Sequence, residues 1–438
     1  MDRSVGLKPR FAAWRVLHDV RHGVPFDVAL NRAVSDLEPA DRRLAHEMAA
    51  GVYRHRSTLD QRIEPAIERG LASVRADALD ILRIGVFQLT HLDRVPPHAA
   101  VQTSVDLARR LGGRRVAGFV NAVLRRLTQG GTERPQPALE ASLADQHSHP
   151  AWLVDRWIKR FGHEGTVQLL QWNNRRPSLV IQPARASLDK IAKDLSAAEI
   201  ATTAAKFDAG LVVETRNIRG LPGFAAGAFV VQDPAQAMVM RFADLPENCF
   251  VYDACAAPGG KSIAASQQAR FVLAADHRRT RVTRLAESLH RAAPGPTGVV
   301  VADLLHPPIR AADVVLVDAP CLGTGTFARN PDARWRVTPE ALATLAEQGT
   351  RFLEAAQSVV GPGGLLLFAT CSLEPEENET QIEAFLARHP EFRRESSAAV
   401  PSELLSARGD LMILPHRHHM DGAYAARLRR RSSGTRTP

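Results

Sequence analysis

The chain has only four cysteines in 438 residues, at 249, 255, 321 and 371, and no C-x-x-C pair. This spacing argues against a structural zinc site and against a disulfide scaffold, and it suits a reduced cytoplasm. No run of about 18 apolar residues occurs, so no transmembrane helix or membrane partner is expected. Met1-Asp-Arg-Ser-Val-Gly-Leu-Lys-Pro9 has no apolar h-region, so no signal peptide is expected. Lysine is scarce: six of the 56 basic residues. Any lysine standing in a motif is therefore a candidate for a role in which a point charge serves and a planar guanidinium does not.

What is present bounds the answer further. A length of 438 residues with 45% apolar content suits two or three domains with ample cores. The net charge of +9 and an isoelectric point near 9.9 favour a polyanionic partner. A GC-rich genome accounts for abundant arginine and alanine, but not for where the surplus lies. Residues 1–134 hold 22 Lys and Arg against 15 Asp and Glu, and the stretch from Arg427 holds five Arg and no acid.

Residues 8–128 read as a string of helices. Apolar spacing is helical in Ile81-Leu-Arg-Ile-Gly-Val-Phe-Gln-Leu89 and in Phe119-Val-Asn-Ala-Val-Leu-Arg-Arg-Leu127, and Pro96-Pro97 separates two helices. Gln129-Gly-Gly-Thr-Glu-Arg-Pro-Gln-Pro137 reads as a linker. Ala151–Arg160 reads as an amphipathic helix, and Leu179-Val-Ile and Leu211-Val-Val-Glu214 as short strands of a small α/β platform. From about residue 236 the pattern is βαβ, with parallel strands expected at 250–253, 271–276, 299–303, 313–318 and 365–370. The first four end in Asp253, Asp276, Asp303 and Asp318, and the fifth in Thr370-Cys371. Ligands of open α/β sheets bind beyond the carboxyl ends of the strands, so these ends should share one crevice. An acid closing the second strand commonly receives ribose hydroxyls, which points to Asp276; Asp303 is placed to meet an adenine amino group.

The segment Val251-Tyr-Asp-Ala-Cys-Ala-Ala-Pro-Gly-Gly-Lys-Ser262 is the strand–loop–helix turn of such a domain. From Cys255 it matches the nucleotide loop G-x-x-x-x-G-K-[ST] except at the first glycine, and Val314-Val-Leu-Val-Asp318 imitates a Walker B strand. That glycine lets the backbone curl around phosphates, and a cysteine there tolerates positive φ poorly. Two further cysteines, Cys321 and Cys371, follow the fourth and fifth strands beside Asp318. Buried inert thiols are the common fate of free cysteine. Two aimed at one crevice beside an acid fit nucleophilic catalysis better. His416, His418 and His419 form an H-x-H-H cluster, for which a solvated or RNA-facing loop is expected and no metal.

Asp253-x-Cys255-Ala256-Ala257-Pro258-Gly259-Gly260-Lys261-Ser262 resembles the first motif of the RNA 5-methylcytosine methyltransferases. Asp318-Ala-Pro-Cys321 resembles their fourth motif, and Thr370-Cys371-Ser372-Leu-Glu-Pro-Glu-Glu-Asn378-Glu379 their sixth. Val231-Gln-Asp-Pro-Ala235 and Pro415-His-Arg-His-His-Met-Asp-Gly422 resemble flanking motifs, and the N-terminal helices resemble a NusB-type RNA-binding domain. Together they are similar to the RsmB (Sun/Fmu) family of 16S rRNA cytosine-carbon-5 methyltransferases. The chain departs from the family pattern at Gln182-Pro-Ala184, Leu322 and Ala423-Tyr424.

The resemblance implies S-adenosylmethionine as cofactor, held by Cys255 to Lys261 and by Asp276, Asp303 and Asp318. It implies 16S rRNA as partner, no metal, and a cytoplasmic protein, for which a monomer is expected. Carbon 5 of cytosine is a poor nucleophile until a thiolate adds to carbon 6, and Asp318 can bond ring nitrogen 3 in that adduct. Sequence geometry leaves open which cysteine attacks. DNA cytosine methyltransferases use the Pro-Cys cysteine, which points to Cys321; the RNA family uses Thr-Cys-Ser, which points to Cys371, with Cys321 helping to break down the adduct as a base for the carbon-5 proton. The same reaction on tRNA or another rRNA site, and a non-catalytic NusB-like RNA-binding factor, stand as alternatives. The expected plan is multidomain: an all-α NusB-like bundle (1–129), a linker (130–148), a small α/β platform (149–235), a Rossmann-like α/β methyltransferase domain (236–430) and a basic tail (431–438).

Overall fold

The chain forms two compact units, Met1–Arg175 with Phe327–Arg336, and Arg176–Thr326 with Val337–Pro438. The structure is a computed structural model that describes residues 6–129, 141–215 and 217–432.

The first unit is helical: α1 (Leu7–Arg21), α2 (Phe26–Ala33), α3 (Pro39–Arg54), α4 (Arg56–Ile63), α5 (Ala76–His91), α6 (Pro97–Gln129), α7 (Leu143–His147) and α8 (Ala151–Asn173). The helical periodicity around residues 81–89 and 119–127 becomes α5 and the end of α6, and Pro97 opens α6 as expected of proline at a first helical turn. Close packing of α3, α5 and α6 needs glycine at two crossings. A Cβ on Gly51 would meet the Phe87 ring at 2.1 Å, and one on Gly85 would meet Leu124 Cδ1 at 2.8 Å.

Of the linker expected at 130–148, residues 130–140 lie outside the described residues. The remainder carries α7, whose N-cap Ser142 hydroxyl accepts the Asp145 N–H. Helix α8, expected to open the platform, lies within the compact unit Met1–Arg175, with Leu153, Val154 and Trp157 buried.

The segment Phe327–Arg336 joins this unit from far along the chain. Arg334 is wholly buried and donates to the carbonyl oxygens of Asn173 (2.8 Å) and Phe327 (3.2 Å) and to Asn174 Oδ1 (2.6 Å). Trp335 Nε1 donates to Tyr53 O at 2.8 Å, and Arg54 donates to Ala328 O at 3.0 Å. Burial, with Arg54 nearby, pulls Arg334 down to about 9, so it stays cationic at neutral pH.

The second unit begins with the platform: β1 (Val180–Pro183), α9 (Leu188–Ala197), β2 (Thr202–Ala204), β3 (Leu211–Val213) and β4 (Phe229–Val231), an antiparallel sheet in the order β2-β3-β1-β4. There follow α10 (Pro234–Ala243), β5 (Phe250–Asp253), α11 (Gly260–Ala265), β6 (Phe271–Asp276), α12 (Arg279–Ala292), β7 (Thr297–Val301), β8 (Ala312–Asp318), α13 (Pro339–Gln357) and β9 (Val360–Thr370). The chain closes with α14 (Glu379–Arg388), β10 (Phe392–Glu395), β11 (Leu411–Ile413), α15 (Pro415–His418) and β12 (Ala423–Arg430). The large sheet runs β10-β12-β9-β8-β5-β6-β7, with β11 paired to β12. Strands β9, β8, β5, β6 and β7 are parallel; β12 and β10 add antiparallel. The chain leaves β5 toward β7 and returns to β8 on the other side. The switch point thus lies between β5 and β8, where Asp253 and Asp318 end their strands.

The third parallel strand ends at Val301, not at 303, so Asp303 lies two residues beyond it. The antiparallel strands were not anticipated, and they change the reading of the C-terminal arginines. Arg427, Arg429 and Arg430 sit in β12: Arg427 is buried and donates to Ser396 O at 2.9 Å, and Arg429 pairs with Glu395 at 3.1 Å. Of the basic tail expected at 431–438, residues 433–438 lie outside the described residues.

Arg334→Ala should lower the unfolding free energy by about 3 kcal/mol, because buried carbonyl oxygens lose a charged donor. Arg334→Lys should be intermediate, keeping the charge and losing the fork. Urea titrations check both, and a wild-type midpoint for the alanine variant would refute the account.

Candidate active site

The first-motif loop starts pinned to both neighbouring strands. Ala254 N–H donates to Leu316 O at 2.9 Å and Ala256 N–H to Ala275 O at 2.8 Å. Gly259 then has φ +112, and a Cβ there would meet Leu285 Cδ1 at 3.0 Å, so glycine is required. Asp253 is fully buried; its Oδ2 accepts the Ser262 hydroxyl at 2.6 Å and its Oδ1 is sealed from solvent without a partner. Burial pushes its carboxyl up to about 6, with Ser262 and Lys261 only partly offsetting the effect. Burial also pushes the Cys255 thiol up, and Asp253, Asp318 and Asp276 act in the same direction. Three of the four expected strand-end acids therefore surround the loop.

Asp276 is 2% exposed; it accepts the Arg278 N–H at 3.0 Å and lies 3.3 Å from Arg281 Nε. Arg281 also donates to Ala257 O at 2.7 Å, so it ties the second strand end to the loop. Asp303 is exposed and caps its own turn through the Leu305 N–H at 3.0 Å. Lys261 is buried on its stem; its ammonium donates to Gln236 Oε1 and lies 2.8 Å from Asp318 Oδ2.

The two cysteines meet. Cys321 Sγ and Cys371 Sγ are 3.5 Å apart, beyond the adjacent strands β8 and β9. The Cys371 contact first, then burial, pushes the Cys321 thiol well up, so it keeps its proton. Their loops are zipped together: Gly325 N–H donates to Cys371 O at 3.0 Å, Leu373 N–H to Thr324 Oγ1 at 2.8 Å and Asn378 Nδ2 to Ser372 O at 2.9 Å. Gly325 and Gly422 touch, and a Cβ on either would strike the other's backbone.

The residues that sequence reasoning missed are Gln236, Arg281 and Glu377. Glu377 was quoted inside a motif without a role; its Oε1 accepts the Leu322 N–H at 2.9 Å, directly after Cys321. The H-x-H-H expectation needs correction. His416 and His418 are buried in the single turn α15, burial pulls both down to about 4, and His418 Nδ1 accepts the Leu414 N–H. Only His419 of the three is exposed. Among the described residues no group of three or more His, Cys, Asp or Glu is placed to hold a metal ion, and no helix is long and apolar enough to cross a membrane.

The donor set suits a cationic, nucleoside-bearing group: a small-residue cradle, a buried carboxylate oxygen without a partner, and an acid at the second strand end. Fold and site define an S-adenosylmethionine-dependent methyltransferase of the Rossmann-like class. Residues 240–429 match the family described as 16S rRNA methyltransferase RsmB/F, residues 7–129 the NusB family, and residues 149–218 the RsmF/B-like ferredoxin-like domain. A probable ribosomal RNA small subunit methyltransferase B of Synechocystis is 36% identical across 97% of this chain and 100% of its own length. The ribosomal RNA small subunit methyltransferase B of Vibrio vulnificus is 31% identical across 96% and 99%. The crystal structure of PH0851 shares the fold with a TM-score of 0.81 at 23% identity, over 96% of this chain and 98% of that one. NSun6 from Pyrococcus horikoshii with SFG shares it at 0.55 and 18% identity, over 64% and 98%. The chain belongs to the RsmB/F family of 16S rRNA methyltransferases.

Asp253 generates a pH test. An acid whose folded pKa lies above its unfolded value adds stability that is complete below about pH 4 and is lost as pH rises through about 6. Asp253→Asn should therefore gain on wild type by roughly 2–3 kcal/mol between pH 4.5 and pH 8. Equal differences at the two pH values, by chemical denaturation of the ligand-free protein, would mean that the carboxyl is not held at a cost.

Proposed function

We propose that this chain transfers a methyl group from S-adenosylmethionine to carbon 5 of one cytosine in 16S rRNA through a covalent Cys371–cytosine adduct, acting in the cytoplasm as a monomer. The observation that carries the reading is the pair of sulfurs 3.5 Å apart beyond the ends of β8 and β9, where Asp318, which closes β8, pairs with Lys261. When bound, the cofactor supplies an electrophilic methyl group on its sulfonium. The loop from Cys255 to Lys261, with Ala256, Ala257, Pro258, Gly259 and Gly260, cradles it; Asp276 receives the ribose hydroxyls and Asp303 the adenine edge. Asp318 protonates ring nitrogen 3 of the cytosine as sulfur adds to carbon 6, and Lys261 pairs with the carboxylate left behind.

Cys371 supplies the electron pair that forms the bond to carbon 6, which makes carbon 5 nucleophilic enough to take the methyl. Solvent water then takes the carbon-5 proton, the carbon–sulfur bond breaks and Cys371 leaves with its pair. A Cys321 that keeps its proton is poorly suited to act as the base. It is well placed to donate an S–H hydrogen bond to the departing sulfur, and this is the role proposed for it. The N-terminal helical unit supplies RNA affinity, with Arg109, Arg110, Arg114, Arg115, Arg125 and Arg126 exposed along α6. Specificity comes from RNA shape and an unstacked cytosine.

The two cysteines separate by what they leave on the RNA. Cys371→Ala should form no covalent RNA complex, because no bond to carbon 6 is made. Cys321→Ala should form one and stall, running slowly on a denaturing gel. The opposite pattern reverses the roles. Asp276→Ala should weaken S-adenosylmethionine binding by roughly 1.5–3 kcal/mol while sparing RNA affinity. Calorimetry that finds unchanged cofactor affinity in a folded variant would remove Asp276 from the site.

A further inference from the structure

Two sulfurs at 3.5 Å are chemically alike, yet the proposed reaction needs one to attack and the other to hold a proton. Glu377 is placed to distinguish them. It ends the turn Pro375–Glu377, is 3% exposed, and grips the Cys321 loop through the Leu322 N–H at 2.9 Å. Its Oε2 is sealed from solvent without a partner of good hydrogen-bond geometry. On its own loop the Ser372 hydroxyl faces the carboxyl and only partly offsets its burial. Glu374 and Glu376 act in the same direction as burial, so Glu377 titrates at about 7. Its charge in turn bears on Cys321, in the same direction as the Cys371 contact and burial.

We infer that Glu377 is a positioning residue that tells the two sulfurs apart: its carboxylate biases the shared S–H···S proton toward Cys321 and leaves Cys371 as the sulfur that bonds to carbon 6. The inference rests on the reading of Cys371 as nucleophile. Glu377 lies on the loop that follows Cys371, yet its carboxyl crosses to bond the amide directly after Cys321, and its charge raises the Cys321 thiol. It makes and breaks no bond to carbon.

The test is competitive alkylation of the full chain without RNA. A trace of iodoacetamide is added between pH 5.5 and 8.5, and modified Cys321 and Cys371 are counted by mass spectrometry after digestion. Both sulfurs are read in one tube, so the reagent's own pH dependence cancels. The ratio of Cys371 to Cys321 labelling should fall about tenfold, one pKa unit, from pH 8 to pH 6 as Glu377 takes up its proton. Glu377→Gln, whose amide oxygen still accepts the Leu322 N–H, should show the low ratio at every pH. A ratio in Glu377→Gln equal to wild type at pH 8 overturns the inference and leaves Cys371 as the nucleophile. A wild-type preference for Cys321 overturns the underlying reading as well. Should the variant not fold, the wild-type series decides alone, and a flat ratio rejects the role.

Discussion

The carboxyl edge of the large sheet depends on one buried cation. Parallel strands deliver Asp253, Asp276 and Asp318 to the same space around Cys255, and like charges gathered in a poorly hydrated crevice favour their own neutralisation. Lys261 answers Asp318 at 2.8 Å and moderates the rise of Asp253, while Arg281 answers Asp276. Lys261 follows directly from the two glycines of the loop, so the same turn that shapes the loop also sets a cation against Asp318. Arginine could not replace it easily: the head is confined between Gln236 and Asp318, where a compact ammonium fits.

The site divides the labour of its groups by hydration. Asp253 and Glu377 are carboxyls held away from water and pushed toward neutrality, whereas Asp318 keeps partial access to solvent and a cationic partner. The cysteine pair shows the same principle at a finer scale. Two identical thiols stand in unlike surroundings, because a carboxyl from the Cys371 loop bonds the amide directly after Cys321.

Much of this was legible in the residues. The continuous apolar runs ending in acids marked the parallel strands, and the order of motifs marked the loops beyond them. What escaped were features set by partners distant in sequence. Asp303 slipped past its strand because Val301 already ends the pairing with β6. The arginines from 427 on looked like a basic surplus at the end of the chain, since nothing local reveals that β12 pairs with β9 and buries Arg427. Gln236 and Arg281 carry no motif signal; each matters because of where α10 and α12 pack. Glu377 lay within a recognised motif, yet its meaning is the amide of Leu322, 55 positions earlier.

The excursion of Phe327–Arg336 into the helical unit has a consequence in time. A ribosome finishes residue 175 and must then make residues 176–326 before the last piece of the first unit emerges. At roughly 5–20 residues per second that interval is about 8–30 s. Throughout it the carbonyls that Arg334 later satisfies, and the place Trp335 later fills beside Tyr53, stay open. The helical unit is therefore begun first and completed late, and its closure reports that the strand carrying Asp318 and Cys321 has already been made.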